Sequence, residues 1–296
     1  MSRIQDILNK AERDGTTRRT RGLSHEGLMS PPPPPGPRPA AGFESAAPAP
    51  AAWTPTATAA AIEPAQTVTT SVLDPHLVAA LAPQSLAAEQ YRSLRTRLKR
   101  AEGGRAVRVI VVTSPAKGDG KSLTAANLAL TMAQEFQQRV LLIDGDLRRP
   151  SVHRLFGLED GPGLTDVLMG GAELNQALVN VENHHLTLLP AGAIPNHPAE
   201  LLGSASMRRV LDTLRTRFDR ILIDMPPVAP LADLHIVAPM ADGLLMIVRA
   251  GVTPRPAIER ALAGLDMSKV LGLVLNESGG NTGDAATYHE YGYVAD

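Results

Sequence analysis

The chain contains no cysteine, which excludes disulfides, thiolate nucleophiles and cysteine-ligated metals and suits a reducing compartment. It has almost no charge of either sign in excess: 29 Lys and Arg stand against 30 Asp and Glu, for a net charge of −1. That balance gives no global electrostatic case for nucleic acid or an anionic membrane as partner. No apolar run approaches the ~20 residues needed to span a bilayer, and the N-terminus lacks the apolar core of a signal peptide. The expectation is a cytoplasmic protein. Aromatic residues make up only 3% of the 296 residues, so the positions of the four tyrosines carry information.

What is present centres on Val107–Ser122, VRVIVVTSPAKGDGKS. The β-branched run Val107–Val112 reads as a buried parallel strand. It breaks at Ser114, Pro115, Gly118 and Gly120, reaches Lys121 and Ser122, and continues with helical spacing from Leu123. Strand, glycine-rich turn and helix start together form the context of a phosphate-binding loop. The glycines let backbone N–H groups close around phosphates, and the helix N-terminus adds partial positive charge. In that reading Lys121 reaches the outer phosphates and the Ser122 hydroxyl sits on Mg²⁺. Pro115 replaces the first glycine of the usual motif, so the pattern alone is a degenerate match. The competing reading is a plain Gly-Lys turn at a helix start.

Four regions follow from composition. Residues 1–14 place Ile4, Ile7, Leu8 and Ala11 on one helical face, a helix too short to be stable alone. Residues 15–81 shift to Pro, Ala, Thr and Arg and read as a disordered tether. Residues 82–280 carry the main domain, opening with the helical segment Ala87–Ala101 in which Glu89, Arg92 and Arg95 share roughly one face. By spacing alone those three are a solvated charged face. Residues 281–296 form a polar tail holding Tyr288, Tyr291 and Tyr293, which reads as exposed hydroxyls or as an aromatic anchor.

Beyond the phosphate loop, apolar strands are predicted at Val140–Ile143, Leu186–Leu189, Ile221–Ile223, Leu244–Val248 and Val270–Leu275. Helices are predicted at Leu123–Phe136, Ala199–Phe218, Leu231–Pro239 and Arg255–Leu265. Alternation of this kind predicts an α/β fold with a mostly parallel sheet covered on both faces, and a ligand at the carboxyl ends of the strands. Asp144 and Asp146 end one apolar strand and Asp224 ends another, on the edge that carries the phosphate loop. Acids there are costly unless paired or bound to a cation. Salt bridges to Arg148 or Arg149 account for any one of them but poorly for all three. A triphosphate site with Mg²⁺ accounts for the set.

These motifs in this order resemble the bacterial tyrosine kinases of capsule and exopolysaccharide loci, from about Ala82 to the C-terminus. SPAKGDGKS resembles their modified Walker A, LLIDGDLRRP their Walker A′ and ILIDMPPV their Walker B, followed by a tyrosine cluster. The resemblance implies a P-loop NTPase fold and an ATP-dependent protein-tyrosine autokinase. ATP is then held by Ala116, Lys117, Gly118, Asp119, Gly120, Lys121, Ser122 and Leu123, with Asn276 near the adenine and Arg249 on the adjacent strand edge. Asp146 assists the attacking tyrosine, while Ser122, Asp144 and Asp224 organise Mg²⁺ and its waters. Arg148 or Arg149 stabilises the transferring phosphoryl group. The triplet Glu89, Arg92 and Arg95 resembles the family's oligomerisation motif, which implies an octamer-like ring in which tyrosines of one subunit enter its neighbour's site. Implied partners are the cytoplasmic tail of a transmembrane polysaccharide co-polymerase, which recruits the kinase to the membrane's inner face, and a phosphotyrosine phosphatase.

Two rival readings stand beside it. The related partition and division-site ATPases carry a signature lysine early in the loop, where this chain has Ala116, with Lys117 one residue too late. An ATP-switched dimer is therefore disfavoured but is the first rival. A nucleotide-binding scaffold with weak or lost catalysis is the second.

Overall fold

The computed structural model describes residues 64, 66–69, 72–135, 138–228 and 233–277. The predicted N-terminal helix, most of the predicted tether and the tyrosine tail lie outside them.

In chain order the first elements are β1 (Gln66–Val68), α1 (Val78–Leu81), α2 (Leu86–Ala101), β2 (Val109–Thr113), α3 (Lys121–Ala133) and β3 (Val140–Asp144). Then come α4 (Val152–Leu155), α5 (Leu164–Leu168), α6 (Leu174–Ala177), β4 (Val179–Val181), β5 (Leu186–Leu189), α7 (Pro198–Leu202) and α8 (Ala205–Arg215). The last are β6 (Arg220–Asp224), α9 (Asp233–Val237), β7 (Gly243–Arg249), α10 (Arg255–Ala263) and β8 (Val270–Asn276).

The eight strands form one sheet in the order β1-β4-β5-β3-β6-β2-β7-β8. Every pairing is parallel except the β4–β5 hairpin. β2 therefore lies inside the sheet, between β6 and β7, which explains why its sequence is a continuous apolar run: both faces are covered. Alternation sorts its side chains into two cores. Ile110 and Val112 pack with α3 residues such as Leu128 and Leu130, while Val109 and Val111 pack with Leu211 and Leu214 of α8. Register pairs Asp144 with Asp224 at the carboxyl ends of β3 and β6, beside the end of β2. The expected mostly parallel α/β sheet with helices on both faces is what forms.

The structure departs from the sequence reading in three places. Residues 66–69 and 72–81, assigned by composition to a tether, belong to the folded domain. β1 joins the sheet edge beside β4, and Val68, Leu73, Leu77 and Ala79 are buried in the α3-side core. The Asn127 side chain of α3 fixes this strap, accepting from the Ala79 N–H at 3.0 Å and donating to the His76 carbonyl at 3.0 Å. Four apolar anchors spread among polar residues suffice because each docks onto a surface that already exists. The predicted single helix Ala199–Phe218 is two helices, with a break at Gly203 and Ser204, whose hydroxyl caps α8 by accepting from the Met207 N–H. Finally, β1 and β4 are only three residues each, too short to show a period.

Candidate active site

The site forms where β2, β3 and β6 end together. The loop after β2 makes two left-handed turns, at Gly118 (φ 87°) and Gly120 (φ 86°), a conformation that side chains strongly disfavour. A Cβ on Gly120 would also lie 2.1 Å from the Asn276 amide nitrogen. α3 then starts at Lys121 with no side chain capping its first turn, so its N–H groups are free for an anion.

Lys121 Nζ lies 3.1 Å from Asp146 Oδ2, 3.3 Å from Asp224 Oδ1 and 3.2 Å from Ser122 Oγ. The Ser122 hydroxyl donates to Asp224 Oδ2 at 2.5 Å. Asp224 is fully buried, and burial pushes its pKa up to about 7, opposed by the Lys121 charge and reinforced by that of Asp144. Burial also works against the charged Lys121, but Asp224 and Asp146 outweigh it and hold the ammonium above its ordinary value. Lys121 therefore stays protonated, and Asp224 takes up a proton well above the ordinary carboxylate range. Two carboxylates on one ammonium leave surplus negative charge, with a serine hydroxyl beside them: oxygen donors of the kind a hard divalent cation takes. Among the described residues no three His, Asp or Glu converge as a closed metal site. A cation here needs oxygens from a ligand as well, as Mg²⁺ bound with a nucleotide does.

Several expected roles change. Asp144 is buried, and its oxygens accept N–H bonds from Ser151 and Val152, both at 2.9 Å, and from Asp146 at 3.2 Å. It braces the turn into α4 rather than presenting free oxygens to a metal; burial raises its pKa against those three bonds. Arg148, expected at the phosphoryl group, instead grips the buried Asp233 of α9 through two bonds of 2.7 and 3.0 Å. Asn276, expected at the adenine, donates to the Asp119 carbonyl at 3.0 Å and so braces the loop. Arg249 pairs with Glu277 at 2.6 Å. On α2, Glu89 and Arg92 pair with each other at 2.7 Å, while Arg95 reaches α3, donating to the Thr131 carbonyl at 2.6 Å and pairing with Glu135. Asp233 was missed by sequence reasoning, since it meets Arg148 only through the fold.

An open cleft of about 1520 Å³ runs from Lys117 and Lys121 past Asp146, Arg149 and His153 to Ile194 and Pro226. It is large enough for a nucleotide and a second reactant side by side.

A family model described as an AAA domain matches residues 107–254. Over 220 residues the chain is 38% identical to tyrosine-protein kinase YwqD of Bacillus subtilis (strain 168), covering 74% of this chain and 90% of that protein. The chain belongs to the bacterial tyrosine kinases. Within that family it is also 34% identical over 238 residues to the putative tyrosine-protein kinase EpsB of Ralstonia nicotianae (strain ATCC BAA-1114 / GMI1000), covering 79% of this chain but only 32% of that longer protein. Among solved structures, the chimerical protein CapA2B2 superposes with a TM-score of 0.65 at 30% identity, over 71% of this chain and 92% of its own.

Proposed function

We propose that this protein-tyrosine kinase uses ATP to phosphorylate Tyr288, Tyr291 and Tyr293 of a neighbouring copy, and that this cycle regulates capsule or exopolysaccharide polymerisation and export. The observation that carries the reading is the group Lys121, Ser122, Asp146 and Asp224, gathered at one end of three neighbouring strands beside an uncapped helix start.

In this reading Lys121 exchanges its contacts with Asp146 and Asp224 for the outer phosphates of ATP, and the first N–H groups of α3 bind the phosphate chain. Ser122 and Asp224 would hold Mg²⁺, which would supply neutralisation of the phosphate charge. The tyrosine oxygen forms its bond to the γ-phosphorus as the bond to the bridging oxygen breaks. Asp146, freed from Lys121, takes the phenol proton, and ADP leaves. Positioning and charge account for most of such a reaction, so a weakly basic carboxylate is adequate.

The copies would meet through the α2 face that carries Glu89 and Arg92, in an octamer-like ring. No helix among the described residues is long and apolar enough to cross a membrane. Recruitment to the inner face of the membrane would therefore fall to the cytoplasmic tail of a polysaccharide co-polymerase, with a phosphotyrosine phosphatase reversing the modification. The domain plan under this proposal is an N-terminal helix, a tether, the kinase domain and the tyrosine tail.

An anti-phosphotyrosine blot of the purified protein with ATP·Mg²⁺ tests the core of this reading, with and without a candidate activator tail. A signal lost in Lys121→Met and in the triple Phe variant of Tyr288, Tyr291 and Tyr293 is expected. A wild type silent under all conditions would sink it in favour of an ATP switch or scaffold.

A further inference from the structure

The phosphate loop carries an acid that the proposed chemistry does not use. Asp119 lies between the two left-handed glycines and is 2% exposed. Among the described residues no cation pairs with it. A buried negative charge in a loop built to receive phosphates repels the ligand unless it is held away from it. The hydrogen bonds show what holds it. Thr253, in the turn between β7 and α10, donates its hydroxyl to Asp119 Oδ1 at 2.7 Å. The other oxygen, Oδ2, accepts from the loop's own Ala116 N–H at 3.0 Å. Thr253 is itself fixed, because its hydroxyl oxygen accepts from the Arg249 N–H at 3.1 Å. Asn276 closes the arrangement by donating to the Asp119 carbonyl, while its own carbonyl accepts from the Ala250 N–H at 2.9 Å.

We infer that Thr253 is a positioning residue for nucleotide binding: it anchors the Asp119 carboxylate to the β7–α10 turn and so holds the phosphate loop open in its receptive shape. The glycines on either side of Asp119 leave the loop backbone intrinsically loose, and one side-chain anchor removes that freedom before the ligand arrives. Thr253 touches neither ATP nor tyrosine in this arrangement. Its effect therefore belongs to ATP affinity and not to the chemical step. The inference rests on the reading of this loop as the ATP site.

The test uses the full chain with Thr253→Val, which keeps the shape and deletes the hydroxyl, and Thr253→Ser, which keeps the hydroxyl. Displacement of a fluorescent ATP analogue gives affinity, tail phosphorylation gives KM and kcat, and thermal melting reports the fold. Losing one hydrogen bond to a carboxylate is expected to weaken ATP binding and raise KM about tenfold in the Val variant, with kcat nearly unchanged. The Ser variant is expected to stay close to wild type. A Val variant that binds ATP as wild type does, even with a lowered melting temperature, would overturn the inference, as would a loss that Ser does not rescue. If the wild type binds the analogue but makes no phosphotyrosine, the kinase reading fails while the affinity comparison still decides the role of Thr253.

Discussion

At the scale of residues, the active site is a balance between one ammonium and the carboxylates around it. Replacing Lys121 by Met removes the group expected to reach the phosphates, so nucleotide use should be lost while circular dichroism shows a retained fold. The buried Asp224 adds a pH dependence. Its folded-state pKa, about 7, lies above the ~3.9 of an unfolded aspartate, so the folded form binds more protons between those values. Its contribution to stability is present at low pH and is lost as pH rises through that window. Without nucleotide, the wild type should lose melting temperature relative to Asp224→Asn between pH 5 and pH 8; parallel pH curves would contradict this. Lys121, Ser122, Asp146 and Asp224 were legible in the sequence because each lies in the first turn of a helix or within two residues of the end of an apolar strand. The partners Asp233 and Thr253 were not, since both lie far along the chain from the residues they hold and an aspartate or threonine in a polar turn has no distinctive signal. For Arg148 and Asn276, spacing set their neighbourhood but not the partners their side chains take, Asp233 and the Asp119 carbonyl.

At the scale of elements, two contacts make sharp expectations. Gly163 begins α5 against the Pro190–Gly192 turn, with Leu164 and Thr165 donating to the carbonyls of Pro190 and Ala191. A Cβ at Gly163 would fall 2.2 Å from the Gly192 nitrogen, so main chain and not a flexible side chain must move. Gly163→Ala should therefore cost about 1–3 kcal/mol in a denaturant titration. The charged face of α2 divides in two. Arg92 pairs with Glu89 along the same helix and donates to the Pro83 carbonyl ahead of it, whereas Arg95 ties α2 to the end of α3. Arg92→Ala should weaken assembly in sedimentation with only a small loss of melting temperature. Arg95→Ala should lower the melting temperature as well, because its charged bond to a half-buried carbonyl contributes about 1–3 kcal/mol. Unchanged sedimentation in the double variant would return both to an ordinary helix surface. Long elements such as α3 and β7 were readable from their length and their sustained apolar character. The α7–α8 break was not, because apolar residues continue across Gly203 and Ser204.

At the scale of the whole molecule, the strap from β1 through α1 extends the domain beyond what composition marks. A chain shortened to begin at Ala82 loses Leu73 and Leu77, each worth about 1.5–3 kcal/mol when fully buried, and uncovers the α3 surface they occupy. It should melt well below the full chain, while one beginning at Ile62 should match it. The strap went unread because its anchors are few and its neighbours resemble the proline- and alanine-rich stretch before it.

The pairing of β1 with β4 also sets an order of events in time. Gln66 meets Val179, so the first strand of the sheet to leave the ribosome has no partner until more than a hundred further residues have been made. Contacts of such separation carry a large closure entropy and form late. During synthesis the strap must wait, its leucines uncovered, and β2 waits with it, since Val109 meets Ile221 across a similar span. In pulse-labelled refolding, the amides of the β4–β5 hairpin and of the β7–β8 pair, joined over short spans, should therefore gain protection before those of β1 and β2.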